Sequence, residues 1–249
     1  MSEIKTEITK ANIDELLKEV AKEYRKRVGK NMPAEIILVG GASVLVNYGF
    51  RYATTDIDAL IQAASGMKDA INAVGDLHGL DAGWLNTDFV NTDSYTAKLV
   101  QYSKYYRTFS NVLTVRTIAA EYLVAMKLRS GRPYKHDMSD VVGILKEHEE
   151  AGSAITEERV RRAVADLYGS WENLPEQSRE FYEAIKSREK RKELYAEVED
   201  SEQDAKTLLL GFEQKNPGTI RKMGASEVVF MLRKPKEEVK EQNETTESE

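Results

Sequence analysis

The sequence has no cysteine, which excludes disulfides and thiolate metal sites and fits a reducing compartment. Histidine is scarce as well. His78, His136 and His148 are the only three, none in an HxxxH pair, so no zinc-hydrolase motif is present. No apolar run approaches the length of a membrane span, and the opening MSEIKTEITK has no signal-peptide apolar region. These absences lead to the expectation of a cytoplasmic protein without a membrane partner. Basic excess is lacking too: 36 Lys and Arg stand against 42 Asp and Glu, a net charge of −6. That balance disfavours non-specific coating of nucleic acid. The cationic stretches at 25–27 and 186–192 are interleaved with acids and read as solvated helix faces.

What is present describes a globular chain of 249 residues, 41% hydrophobic and 31% charged, long enough to bury a substantial core. Helical spacing of Ile13, Leu16, Leu17, Val20 and Tyr24 predicts a helix over 12–28, with Asn12 and Glu15 as its capping pair. EIILV (35–39) reads as a buried strand, Gly40-Gly41 as a turn into a short helix ended by Gly49, and 53–61 as a second strand. A helix is expected over 66–81, strands at 98–102 and 111–115, and helices over 118–129 and 138–150. From Ile155 the pattern is almost wholly helical. Thr156 serves as a cap, Pro175 stands at a helix start, a long charged helix runs toward Glu199, and a turn falls at 216–218. The expected organisation is a core over 1–150, a helical region over 151–233 and a disordered acidic tail over 234–249.

One stretch, ILVGGASVLVNYGFRYATTDIDALIQ (36–61), carries the chemistry. Residues i and i+2 of a strand share a face, so Asp56 and Asp58 project together while Ile57 and Ala59 point the other way. Two adjacent carboxylates repel unless a cation lies between them, and magnesium suits one or two carboxylates, waters and phosphate oxygens. Gly-Gly between a strand and a helix leaves backbone N–H groups open to a phosphate, with Ser43 adding a hydroxyl in the first turn. A metal-binding strand beside a phosphate-binding turn is what transfer chemistry on a nucleoside triphosphate requires.

GGASVLVNYGFRYATTDIDALI, with Arg51 and Thr54 ahead of the acid pair, resembles the signature of the polymerase-β-type nucleotidyltransferase superfamily. It is similar to the minimal nucleotidyltransferases and to AbiE-type toxins of toxin–antitoxin systems. AMKLRSGRPYKHDMSD (125–140) resembles their downstream motif, in which a helix lysine precedes an Arg…Lys…Asp…Asp segment. The resemblance implies an α+β fold, a mixed β-sheet core flanked by helices followed by a mainly helical C-terminal region. It implies Mg2+ on Asp56 and Asp58 and a triphosphate, ATP or another NTP, on Gly40, Gly41, Ser43, Arg51 and Lys127. Nucleoside monophosphate would pass to an acceptor (tRNA, protein or a small molecule such as an aminoglycoside), and a toxin would have a cognate antitoxin. Superfamily enzymes also use a third carboxylate on a later strand. Asp88 is the candidate catalytic residue, with Asp93 beside it, although GWLNTDFVNTD reads more as loop than strand. The alternative is a degenerate fold acting as a nucleotide-binding or protein-interaction module.

Other residues near these motifs have plainer readings. Lys127 can equally sit on a solvated helix face. Asp137 reads as the cap of a helix starting at Met138, with Asp140 supporting its first turn through the dipole. Arg132 and Lys135 are the better functional candidates in that segment, as cations able to stabilise developing phosphate charge. Trp84 and Tyr95 read as packing residues, and His136 as incidental.

Overall fold

The computed structural model describes residues 7–186 and 188–233. In chain order, β1 (Ile8–Thr9) precedes α1 (Ile13–Val28), β2 (Ala34–Leu38), α2 (Gly40–Asn47), β3 (Ala53–Thr54), β4 (Ile57–Gln62) and α3 (Gly66–His78). β5 (Leu85–Asn86), β6 (Ser103–Phe109) and β7 (Leu113–Ile118) complete the strands. The helices continue as α4 (Ala120–Ser130), α5 (Asp137–Glu150), α6 (Glu157–Tyr168), α7 (Glu176–Ile185), α8 (Arg188–Lys215), α9 (Thr219–Met223) and α10 (Ala225–Arg233). The fold is α+β, a mixed sheet flanked by helices with a helical C-terminal region.

The five-stranded sheet runs β5–β4–β2–β7–β6, with β2 antiparallel to β4 and parallel to β7. β1 and β3 form a separate antiparallel pair. β2 is apolar over 36–38 because both faces are covered there, and its one acid, the half-buried Glu35 near its start, lies 3.9 Å from Arg116. Ile36 and Leu38 join a core with α1 and α3, and Ile37 and Val39 join a second core with α4, α5 and α6. α1 buries one stripe, Ile13, Leu16, Leu17, Val20, Ala21 and Tyr24, at the expected helical spacing. Trp84 is buried, and its indole N–H donates to the Ile71 carbonyl.

Several local expectations are corrected. Asn12 makes no side-chain cap on α1; its Oδ1 accepts from the Thr9 N–H at 2.8 Å and closes the preceding turn. Residues 97–102 form a 3-10 turn in which Leu99 alone is buried, and the strand begins only at Ser103. Asn111 is not in a strand. Ser110 and Asn111 both have φ of 51° and are the central residues of a turn closed by the Val112 N–H to the Phe109 carbonyl at 3.1 Å, within the three-residue connection 110–112 between β6 and β7. The expected strand over 53–61 is two strands with different partners, β3 beside β1 and β4 beside β2. The long helix continues past Glu199 to Lys215, packing on α5 and then on α10. The acidic tail over 234–249 lies outside the described residues. Among those described, no helix is long and apolar enough to cross a membrane.

Candidate active site

Strand pairing brings the two halves of the motif together. Leu38 of β2 stands opposite Ala59 of β4, and the Val39 N–H donates to the Asp58 carbonyl at 3.0 Å. The chain therefore enters the glycine turn directly beside the acid pair. Ile57 and Ala59 are fully buried and Asp58 between them is half-buried, as alternation along β4 requires, whereas Asp56, expected on the same strand, is half-buried in the connection between β3 and β4. Gly40 has φ of 52°, a conformation that disfavours a side chain, and a Cβ built there would lie 3.6 Å from Asp58 Oδ2. The absent side chain leaves this edge of the carboxylate uncovered.

Asp58 holds its proton more firmly than an ordinary aspartate. Burial is the largest cause and the neighbouring Asp56 charge the second, while Arg132, Lys135 and Lys127 oppose both. A hard divalent cation would relieve this frustration. Two neighbouring, half-buried carboxylates are a donor set that magnesium accepts together with waters and phosphate oxygens. Asp88 does not complete a trio. It lies exposed on a 3-10 turn (Asp88–Asn91), and among the described residues no group of three His, Asp or Glu side chains could hold a metal ion.

Behind the pair lies a buried charge network assembled from three segments. Lys127 of α4, 6% exposed, places Nζ 2.9 Å from Asp137 Oδ1 and 2.7 Å from Asp140 Oδ2, both on α5. Arg51 Nη1 donates to both Asp140 oxygens at 2.8 and 2.9 Å. Arg132 donates to Asp137 through Nε, Nη2 and its backbone N–H, at 2.9, 3.2 and 3.2 Å. Burial alone would raise Asp137; Lys127 and Arg132 overcome it and hold the carboxyl far below the usual carboxylate range. Three cations against two carboxylates leave one positive charge behind the Asp56–Asp58 pair.

This geometry corrects four sequence-level assignments. Lys127 is neither on a solvated face nor open to a triphosphate, because two carboxylates hold its ammonium inside the protein. Ser43 is fully buried and its Oγ accepts the Ile118 N–H at 3.2 Å, tying α2 to the end of β7 rather than facing a phosphate. At Gly41 an added Cβ would meet Thr54 Oγ1 at 3.0 Å and Arg51 Nη2 at 3.2 Å, so its missing side chain makes room for those residues. Asp137 and Asp140 are buried network members, not exposed caps. The capping is done by Glu202 of α8, whose Oε1 accepts from the Met138 and Ser139 N–H groups at 2.8 and 3.4 Å. Its Oε2 accepts from Ser139 Oγ at 2.5 Å. No local signal marks Glu202, since its partners lie more than sixty residues away in the chain. His136, read as incidental, is half-buried beside Arg51 and Asp140.

No curated relative and no solved structure matches the chain. A family model does match over residues 15–179, from the middle of the first turn of α1 into α7, and thus covers every element of the site except Glu202. That model describes DUF6036, nucleotidyltransferases of unknown function. With its glycine turn, acid pair and charge network all inside the match, this chain belongs to that nucleotidyltransferase family.

Proposed function

We propose that this protein is a magnesium-dependent nucleotidyltransferase that moves a nucleoside monophosphate from an NTP to an acceptor hydroxyl. The observation that carries the reading is the half-buried Asp56–Asp58 pair facing the bare backbone of Gly40, with cations arrayed behind it. In this reading Asp56 and Asp58 hold the metal, which when bound would neutralise phosphate charge. The edge left open by Gly40 admits the triphosphate. Arg132 and Lys135, whose charges act on Asp58, favour the anionic transition state. The acceptor oxygen bonds to the α-phosphorus in line, the bond to the β-phosphate breaks, and pyrophosphate leaves. The hydroxyl proton passes to water. Lys127 and Arg51 act by fixing Asp137 and Asp140 rather than by gripping phosphate.

The acceptor in this proposal is tRNA or protein, and the toxin role with a cognate antitoxin rests on the resemblance of the glycine–aspartate segment. The test incubates the protein with each α-labelled NTP, magnesium and total tRNA or lysate. Label should appear in one acceptor class and disappear with Asp58→Asn or with chelator. Induced expression should also halt growth for the wild type and not for Asp58→Asn. One observation favours a second reading, a non-catalytic nucleotide-binding module: no third carboxylate joins the pair among the described residues. Magnesium-dependent NTP binding without label in any pool would establish that alternative.

A further inference from the structure

α8 lies outside the segment shared with the family, yet it is built into the site. Arg191 donates through Nε to the Ile185 carbonyl and lies 3.4 Å from Glu149 on α5, and Glu202 holds the first amides of α5. Between these two anchors, Tyr195 and Glu199 face residues 50–52 across a cavity of about 200 Å³ that is also lined by Ala53, His136 and Asp140, the last already engaged by Arg51 and Lys127. The volume is below the roughly 300–1,000 Å³ of a drug-sized pocket, so it admits one ring system rather than a whole ligand.

The walls suit a flat ring. Phe50 is pinned, because its ring occupies the space where a Cβ on Gly143 would be, and Tyr195 meets it edge-on at 5.8 Å. Lys146 sits over the Tyr195 ring at 6.0 Å. Tyr52 is the opposite case: it is 82% exposed at the mouth, a large aromatic surface left in water. The polar groups are directional. Glu199 is an acceptor, and the ring nitrogens of His136 can donate or accept. Burial and the Arg51 charge favour the neutral imidazole. Arg51 is the wall between this cavity and the glycine turn. The Arg51 guanidinium that lines it lies against Gly41, where an added Cβ would be 3.2 Å from Nη2. A ligand with its phosphates at the glycine turn therefore has this cavity on the far side of one side chain.

We propose that this cavity is a nucleobase pocket, with Tyr52 as its stacking face and Glu199 of α8 selecting bases that carry an exocyclic amino group. The inference rests on the nucleotidyltransferase reading and adds that base choice is set by a helix outside the family segment. The base can belong to the donor NTP or to the end of a nucleic-acid acceptor, and the same titrations separate them.

The full chain is titrated with ATP, CTP, GTP and UTP in magnesium, with magnesium tripolyphosphate, and with a short single-stranded RNA. Tyr52→Ala, which is exposed and leaves the fold intact, should weaken binding of the preferred NTP about tenfold to a hundredfold, the range of one base–aromatic stack. Tripolyphosphate affinity should stay within twofold. Tyr52→Phe should restore NTP binding, and Glu199→Gln should abolish the preference over UTP. If instead the RNA loses affinity in Tyr52→Ala while every NTP is unaffected, the pocket takes the acceptor base. Unchanged binding of NTPs and RNA in both Tyr52→Ala and Tyr195→Ala overturns the pocket while leaving the phosphate site standing. Failure of the wild type to bind even tripolyphosphate overturns the underlying reading, and the pocket with it.

Discussion

Glu202→Gln should change how stability depends on pH, and the structure sets the size of the effect. Glu202 is 5% exposed, and burial pushes its carboxyl up to about 7 against the lowering effect of its bonds to Ser139 and Met138; the Asp140 charge adds to the rise. The ordinary value is 4.5, so the native state binds this proton more tightly than the unfolded chain. A raised acid contributes stability that is fully present below pH 4.5 and is lost as pH climbs through 7. A shift of this size, at 1.36 kcal/mol per unit, corresponds to about 3 kcal/mol. Glutamine has the shape of the protonated acid and keeps an acceptor for the Met138 N–H. The variant should therefore match the wild type near pH 4.5 and exceed it by up to about 3 kcal/mol at pH 8. Urea unfolding followed by circular dichroism at pH 4.5, 6 and 8 measures the gap. Comparing two proteins at each pH cancels the opposite contribution of His136 and His148, whose values are lowered by burial. A gap that stays constant across the three pH values would refute the assignment of a buried, proton-holding Glu202.

Removing the central cation by Lys127→Met should cost about 3–5 kcal/mol in chemical denaturation, because Asp137 and Asp140 would remain buried with their shared partner gone. Asp58→Asn should leave the metal-free protein as stable as the wild type or slightly more so at neutral pH, since it removes a carboxylate that burial and Asp56 disfavour. Its melting temperature should also no longer rise on adding magnesium and NTP, which thermal shift reads directly. Ser43→Ala leaves the buried Ile118 N–H without an acceptor and should destabilise by about 1–3 kcal/mol, with nucleotide affinity measured by calorimetry unchanged. Gly41→Val should cost about 1–3 kcal/mol by crowding Thr54 and Arg51, and a nuclear magnetic resonance shift of the Arg51 guanidinium would locate the strain.

The sequence by itself determined whatever depends on neighbours along the chain. Period-two alternation placed Asp58 on the side opposite Ile57 and Ala59, and the apolar run over 36–38 marked the body of β2 as covered on both faces. Gly40 announced a turn that its positive φ requires. The same local logic reached its limit at Asp137, whose place at the start of a helix is equally compatible with a cap and with an ion pair. Only the packing of α4 against α5 decided between them, by burying Lys127 where two carboxylates had to neutralise it. Tertiary structure likewise drew Ser43 away from any phosphate, because α2 lies against the end of β7 and the Ile118 N–H needed an acceptor. It handed the cap of α5 to Glu202, 64 residues beyond Met138, and put Tyr195 and Glu199 across from Tyr52. A buried charge takes whichever partner the fold brings within about 3 Å, and such pairings leave no periodicity for a sequence to display.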